Sequence, residues 1–357
     1  MRGDTVRLLI QNGRIWDGEK MFFADVLTEN EEIKAIAPGI TEKADITFDA
    51  AGMTVTAGLV DVHMHMRGIS SDNYGIDPAA GCYPFGATAA CDAGGKKGGE
   101  ALLSSFGVKS AVFAEAVIEN DGLDEAATAR NCDLFRGKTV GVKLFYDVGG
   151  GKLHSLKPLR EVCAFARSRG LRVMIHCNHS PTSMRSIVEE LASGDVLSHV
   201  YHGGSNDCTE ADFAALKLAR EKGVVLDAAF AGHVHTDFAV LRKAFAAKQF
   251  PDCISTDITK SSAYKRGGRY GLTMCMSMAR TAGMEEEAIF RAVTAAPAEA
   301  LGQAWGRLQV GGAADLAVLA YTEEPFCLTD KAGNTLQSPM GYRCKLTVAD
   351  GVVVYKD

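Results

Sequence analysis

Residues 58–68, GLVDVHMHMRG, place two histidines one residue apart at the end of an apolar run. Side chains alternate between the two faces of a β-strand, so His63 and His65 are expected to share one face, about 7 Å apart along the backbone. Two imidazoles in that arrangement can converge on a single metal ion. A pair of buried structural histidines is the alternative, because two ligands do not complete a metal site. The stretch therefore predicts a strand that supplies part of a metal centre and needs further ligands from elsewhere in the chain.

The rest of the chain repeats the pattern of an apolar strand followed by a segment with helical periodicity. Alternating strands and helices imply parallel strands with right-handed crossovers, and eight such units over about 250 residues match a TIM barrel. The two ends of the chain instead resemble short strands separated by turns. The eight predicted barrel strands lie within residues 59–65, 86–94, 109–117, 140–147, 171–177, 195–203, 223–230 and 252–258.

Composition narrows the classes of protein to which the chain can belong. With 357 residues, 47% of them apolar and 23% charged, it is long enough for one large globular domain and a smaller companion. A net charge of -6 argues against a dedicated nucleic-acid binder. No apolar run approaches the roughly 20 residues of a membrane span, and no signal peptide is visible. The ten cysteines are scattered without a C-x-x-C pair, which fits buried, reduced thiols. We therefore expect a cytoplasmic protein that binds neither nucleic acid nor membrane.

Polar residues at the predicted strand ends are the candidates for function, because the chemistry of a TIM barrel lies at the C-terminal ends of its strands. All nine histidines fall between residues 63 and 235. Each candidate alone has a structural explanation: Lys143 could pair with a buried carboxylate or extend to solvent, and Asp257 could cap a helix. Together they predict a convergent metal-binding cluster. The candidates are His63 and His65 on strand 1, Lys143 on strand 4, His176 on strand 5, His199 on strand 6 and Asp257 on strand 8.

With these residues the chain resembles the amidohydrolase superfamily, and within it the deacetylase-like and dihydroorotase-like metal-dependent hydrolases. The resemblance covers nearly the whole chain: NGRIWDG and GGAADLAVL near the two ends, GLVDVHMH at the start of the barrel, and IHC and STDI at later strand ends. Ala57 stands where the family usually has proline. The resemblance implies an α/β fold, with a distorted TIM (β/α)8 barrel over residues 56–304. A small composite β-sandwich domain would be built from residues 1–55 plus 305–357.

The resemblance also implies a centre with two divalent metal ions. In that family the H-x-H pair and the strand 8 aspartate bind one ion, and a carboxylated lysine of strand 4 bridges to a second ion held by histidines of strands 5 and 6. Imidazole and carboxylate ligands suit zinc, with manganese, iron or cobalt as alternatives. Burial in an apolar strand would lower the pKa of Lys143 and leave a neutral amine able to take up carbon dioxide. The matching positions are His63, His65, Lys143, His176, His199 and Asp257.

The implied activity is hydrolysis of an amide or ester bond by a hydroxide shared between the metals, with Asp257 moving the proton to the leaving group. A cyclic amidase of the dihydroorotase type and a lactonase fit the same centre. A deaminase of the superfamily would generally keep one metal, and Lys143 speaks against it. A non-catalytic relative would be expected to have lost ligands. The resemblance further implies a homo-oligomer.

Basic residues are concentrated in loops predicted at the barrel mouth. In a protein of net charge -6 such cations favour an anionic substrate, and a solvated basic surface is the alternative. We therefore expect a small anionic substrate such as an N-acyl amino acid. The candidate substrate-binding residues are Arg67, His202, Lys260 and Arg269, and Lys96, Lys97, Lys265 and Arg266 lie in the same loops. Near the active face, in an outer layer or at the surface rather than as ligands, we expect Cys177, His179, His233 and His235.

Overall fold

The computed structural model describes residues 6–67, 74–95, 107–148, 153–231, 234–265 and 269–357. Its strands, in chain order, are β1 Arg7–Trp16, β2 Met21–Glu29, β3 Glu32–Ala37, β4 Ile46–Asp49, β5 Thr54–Ala57, β6 Leu59–Met64, β7 Ala87–Asp92, β8 Lys109–Glu115, β9 Ile118–Glu119, β10 Gly122–Leu123, β11 Thr139–Phe145, β12 Arg172–His176, β13 Val196–Ser198, β14 Val225–Asp227, β15 Leu316–Thr329, β16 Thr335–Ala349 and β17 Val352–Lys356. The helices are α1 Pro78–Cys82, α2 Glu125–Leu134, α3 Lys157–Ser168, α4 Met184–Glu190, α5 Ala214–Lys222, α6 Phe238–Ala246, α7 Lys260–Lys265, α8 Leu272–Thr281, α9 Glu286–Ala292 and α10 Ala295–Leu301. A short 3-10 turn spans Tyr83–Phe85.

Seven strands form a parallel sheet in the order β6, β7, β8, β11, β12, β13 and β14. Residues 252–258, the eighth predicted strand, close this sheet through isolated parallel bridges rather than as a regular strand. On one side the Asp257 N–H donates to the His63 carbonyl at 2.7 Å, and on the other the Ala228 N–H donates to the Cys253 carbonyl at 3.0 Å. The prediction of a distorted (β/α)8 barrel is confirmed.

The barrel strands are buried on both faces, and their side chains alternate between the surrounding helices and the barrel interior. On β11, Val142 and Leu144 share a core with Leu159 of helix α3. Phe113 and Met174 belong instead to a separate apolar cluster drawn from several barrel strands, so they fill the barrel interior. Side chains of successive residues point to opposite faces, which turns Lys143 inward between Val142 and Leu144.

Close packing inside the barrel yields a prediction for Gly141 on β11. A Cβ atom added there would lie 2.3 Å from Phe113 Cε1 and 2.6 Å from the Arg172 carbonyl oxygen. We expect Gly141→Ala to lower the free energy of unfolding by about 1–3 kcal/mol, since overpacking forces neighbouring groups to shift. Urea denaturation measures this change.

Gly122→Ala is the matched control for this prediction, because the nearest atom to its added Cβ is the flexible Lys157 Nζ at 3.3 Å. If Gly141→Ala were as stable as this control, the packing described for the barrel interior would be wrong.

Strands from both ends of the chain lie in one separate eight-stranded sheet. Its order is β17, β16, β15, β5, β1, β2 and β3, and β4 pairs with β1. Strand β5 connects the two ends, because it pairs parallel with β1 and antiparallel with β15. Apolar residues of both ends, among them Ile10, Val26, Val318 and Leu346, form its core. The predicted composite end domain is therefore observed as a sheet, while its boundaries at 1–55 and 305–357 stay a prediction.

Strands β15 and β16 extend beyond this sheet as a hairpin arm, residues 326–338. Near its base β15 pairs with both β5 and β16, but Phe326–Thr329 pairs with β16 alone. Phe326 and Leu336 are buried in the core shared by the barrel and its helices. At the tip, Asp330 Oδ2 accepts a hydrogen bond from the Phe238 N–H, the first residue of α6, at 2.7 Å. These contacts fix the tip of the arm at the barrel mouth.

Among the described residues, no helix combines the length and the apolarity that a membrane crossing requires. The cysteines are buried with the exception of Cys327, as the sequence indicated.

Candidate metal centre

The carboxyl ends of the barrel strands bring two groups of potential metal ligands together. The nitrogen and oxygen atoms of His63, His65 and Asp257 lie within 4.8 Å of one another, as do those of His176, His199 and His235. The two groups adjoin, because the rings of His63 and His199 are 5.1 Å apart. Five of the six ligands predicted from the sequence therefore belong to these groups.

His63 lies in β6, and His65 follows one residue after its end at Met64. The register between β6 and β7 shifts between Asp61 and Met64. There Asp61 accepts hydrogen bonds from the His63 N–H at 3.2 Å and from Thr256 Oγ1 at 2.6 Å, and burial raises its pKa to about 7. Asp61 thus links β6 to residues 252–258, the segment that carries Asp257.

Two of the site residues have left-handed backbone conformations. His199 has φ of 64° and Asp257 has φ of 48°. His199 lies one residue beyond the end of β13 at Ser198, and not inside the strand as the sequence indicated, because the chain turns there. Such conformations cost on the order of 1–3 kcal/mol outside glycine and are concentrated at functional sites.

Backbone carbonyls orient the histidine rings. His65 Nδ1 lies 3.0 Å from the Gly94 carbonyl oxygen, and His199 Nδ1 lies 2.9 Å from the Ala229 carbonyl oxygen. A carbonyl can only accept, so Nδ1 carries the proton in each ring and donates it. Each Nε2 then keeps its lone pair toward the centre, which is the tautomer a metal ligand requires.

Asp227, which is not among the residues predicted from the sequence, orients the ring of His63 in the same way. Its Oδ2 lies 3.1 Å from His63 Nδ1 and also accepts from Ser198 Oγ at 3.0 Å, while Oδ1 accepts from Ser255 Oγ at 2.5 Å. Burial raises the pKa of Asp227 to about 6. The sequence contains a pattern that could have identified it: Asp227 is a charged residue within the predicted strand GVVLDAAF, as Lys143 is within VGVKLFYD.

We expect Asp227→Asn to weaken metal binding by about ten- to a hundredfold, the usual effect of removing a group that orients a ligating histidine. Competition with a chromogenic chelator measures the affinity. Asp252→Asn is the matched control, because Asp252 is a carboxylate that accepts from the Leu226 N–H at 2.8 Å, away from the histidines. Equal affinities in both variants would contradict the role of Asp227.

Lys143 lies in the middle of the centre and is fully buried. Its Nζ is 3.5 Å from His63 Nε2, and no described carboxylate forms an ion pair with it. Burial lowers its pKa to about 8. The alternative of a lysine paired with a buried carboxylate therefore does not hold among the described residues.

His235 lies closer to the centre than the sequence indicated. Its Nε2 is 3.7 Å from Asp257 Oδ2, and its ring is 4.5 Å from that of His199. Asn178 Nδ2 lies 2.8 Å from His235 Nδ1 and orients the ring. The sequence contains a pattern that could have identified His235, because AGHVHTD repeats the H-x-H spacing after the seventh predicted barrel strand. The other histidine of that pair, His233, lies outside the described residues.

A sequence model of the amidohydrolase family matches residues 155–354, more than half of the chain. The chain belongs to the amidohydrolase family. It is 26% identical over 371 residues to a deacetylase of Enterococcus faecalis, covering 97% of this chain and 98% of that protein. It is 25% identical over 337 residues to a deacetylase of Brucella anthropi, covering 87% of this chain and 82% of that one.

Solved structures of similar fold agree with the architecture of this amidohydrolase. A dihydroorotase structure matches with a TM-score of 0.86 at 21% identity, over 99% of both chains. An adenine deaminase structure matches with a TM-score of 0.84 at 24% identity, over 99% of this chain and 100% of that one. At these identities the likeness shows the fold.

The donor set of this amidohydrolase fits metal ions. Burial lowers the pKa of His63, His176 and His199 well below the usual histidine value. Neutral imidazoles are the form that binds metal, so these rings need no proton release at pH 7. Burying several polar rings without partners costs free energy, and a divalent cation bound to their nitrogen atoms would offset that cost.

The residues predicted to bind substrate lie in different surroundings. Arg67 is buried, its Nε is 2.7 Å from Asp92 Oδ1, and its guanidinium lies 4.8 Å from the Phe135 ring centre. Arg269 is 73% exposed, and its Nη1 lies 3.8 Å from Glu324 Oε1. Neither arginine is an unpaired cation facing the histidines.

Lys260 and His202, the other residues predicted to bind substrate, have different surroundings. Lys260 begins α7, and its N–H donates to the Tyr74 carbonyl at 2.7 Å. His202 is buried, with Nδ1 accepting from the Gly204 N–H at 3.0 Å and Nε2 without a partner among the described residues. The residues that the structure describes do not include Lys96, Lys97 or Arg266, and they do not include the side chain of Lys265.

A cavity of about 1000 Å³ adjoins the centre and is large enough for a small substrate. Asp147 lines it, and its Oδ2 lies 3.8 Å from His176 Nε2, which joins the cavity to the centre. The cavity is also lined by Arg67, Arg130 and Glu115, so its walls carry both signs of charge.

Proposed function

We propose that this amidohydrolase cleaves the amide bond of a small N-acylated substrate, in the manner of a deacetylase. The observation that carries the proposal is the meeting of two ligand groups at Asp257, which lies 2.8 Å from His65 Nε2 and 3.7 Å from His235 Nε2. The similarity to deacetylases over nearly the whole chain supports this choice among the activities of the family.

We propose zinc as the metal, because imidazole and carboxylate ligands suit it. His63, His65 and Asp257 would hold one ion, and His176 and His199 the other, with Lys143 carboxylated between them. Two bound ions would polarise the substrate carbonyl and lower the pKa of water toward 7. The lowered pKa of Lys143 supports carboxylation, because it makes the neutral amine available near pH 7.

We assign the proton transfer to Asp257. Its Oδ1 faces His63 and His65, and its Oδ2 faces His199 and His235 at 3.9 and 3.7 Å. A carboxylate in this position can take a proton from the attacking water and give it to the leaving nitrogen, which would otherwise depart as a poor leaving group. Its left-handed backbone fixes the side chain over both ligand groups.

The test is hydrolysis by protein stripped of metal with a chelator and then reloaded with Zn²⁺. The panel contains N-acetyl amino acids, acylated hydroxy acids and cyclic amides, and acetate release or ring opening is measured. We expect the reloaded protein, and not the stripped protein, to release acetate from N-acetyl amino acids. The proposal would be wrong if no metal-loaded sample hydrolysed any N-acyl compound.

Cyclic amide hydrolysis is the second candidate. A segment of 62 residues, 17% of the chain, is 42% identical to a dihydroorotase of Lactobacillus acidophilus. Ring opening of cyclic amides without acetate release in the same panel would favour this activity.

A further inference from the structure

The tip of the hairpin arm forms part of a second, smaller cavity at the metal centre. This cavity of about 250 Å³ is lined by residues that include Asn178, His179, His235 and Lys331. His235 belongs both to its wall and to the ligand group with His176 and His199. A molecule held at the metal centre can therefore extend one end into this cavity.

Lys331 is the cation that the arm brings to this cavity. It is exposed, and no hydrogen bond or ion pair joins its Nζ to another described residue. Its position is nevertheless fixed, because the neighbouring Asp330 binds the first N–H of α6 and Leu336 is buried in the barrel core. Lys331 therefore lies in the wall of the cavity that His235 also lines.

The two carboxylates in the wall of this cavity accept hydrogen bonds from the first N–H groups of α6. Asp330 accepts from the Phe238 N–H and from Asn334 Nδ2, at 2.7 and 2.9 Å. Asp237 Oδ1 caps α6 by accepting from the Ala239 and Val240 N–H groups. Their charges are therefore stabilised by the helix N-terminus, and Lys331 is left to meet a ligand.

We propose that Lys331 is a specificity-determining residue that binds the anionic end of the substrate, a carboxylate or a group of similar size and charge, in this cavity. The inference rests on the proposed function, because it places the scissile amide at the metal centre and the anion beyond His235. The residue that selects an anion is then Lys331, at the tip of the hairpin arm, rather than Arg67, whose charge is paired with Asp92.

The experiment compares racemic N-acetylalanine with racemic N-acetylalaninamide, which differ in the charge of one group. We expect Lys331→Met to lower kcat/KM for N-acetylalanine by about tenfold, the loss of one charge-assisted contact of an exposed cation. The value for the neutral amide should change by less than about twofold, and Lys331→Arg should retain the preference of the parent protein. Because Lys331 is exposed, all variants are expected to fold, and circular dichroism checks this.

The matched control is Lys248→Met, which removes the same charge from a site that follows α6 at the other end of the barrel. The Lys248 side chain is 67% exposed, and its Nζ lies 3.3 Å from Glu285 Oε1. This control should leave both substrates unaffected.

If the parent protein hydrolyses neither compound, the proposed function is decided by the wider panel of N-acyl compounds, and the same pair serves as unreacted ligands. Isothermal titration of the metal-loaded protein then gives Kd for each compound, and Lys331→Met should raise Kd for the anion alone. A preference for the anion that does not depend on Lys331, or no preference in either measurement, would overturn the inference.

Discussion

Asp257→Asn lowers kcat/KM for amide hydrolysis by about a hundred- to ten-thousandfold at saturating metal, because an amide of the same shape cannot accept the proton. The magnitude is the usual contribution of a positioned general base. Metal content is determined in the same samples, since Asp257 also lies 2.8 Å from His65 and belongs to a ligand group. The measurement is steady-state kinetics on the best N-acetyl amino acid of the panel.

Asp212→Asn is the control for Asp257, because it makes the same chemical change at a side chain that is 83% exposed. It should leave turnover unchanged. Activity of Asp257→Asn within about threefold of this control would remove Asp257 from the proton path.

Lys143→Ala is expected to reduce the bound metal from two ions per chain to one and to lower hydrolysis by at least about a hundredfold. With a pKa of about 8, roughly one lysine amine in ten is neutral at pH 7, against about one in three thousand at the ordinary value. The neutral amine is the form that adds carbon dioxide, so burial of Lys143 makes carboxylation accessible. Elemental analysis of the dialysed protein counts the ions.

Lys248→Ala serves as the control for the loss of a lysine and should keep both ions. If Lys143→Ala also kept two ions and full activity, the lysine would have a structural role only, and His235 would stand as the third ligand of the second ion.

Sequence periodicity predicted most of the barrel, because strand and helix patterns are local. The apolar runs that contain His63, Lys143 and His176 each form a strand, and these three side chains lie at one mouth of the barrel. The predicted closing strand, residues 252–258, is held by isolated bridges only, since Asp257 adopts a left-handed backbone that ends regular pairing.

Long-range contacts account for what the sequence did not predict. Asp227 orients His63 from 164 residues away, and Asp330 docks the hairpin arm on α6 from 92 residues away. Periodicity carries no information about such partners. The same limit applies to Arg67. Its backbone N–H and its Nε both donate to Asp92, so the predicted free cation is ion-paired through Nε, while Nη2 has no partner among the described residues.

The measurement that tests the metal centre most directly is an anomalous difference map from a crystal of the zinc-loaded protein, recorded at the zinc absorption edge. Two peaks are expected at the barrel mouth, one flanked by His63, His65 and Asp257 and the other by His176 and His199, with added density on Lys143 Nζ. A map without a peak inside this cluster would show that these residues do not hold zinc.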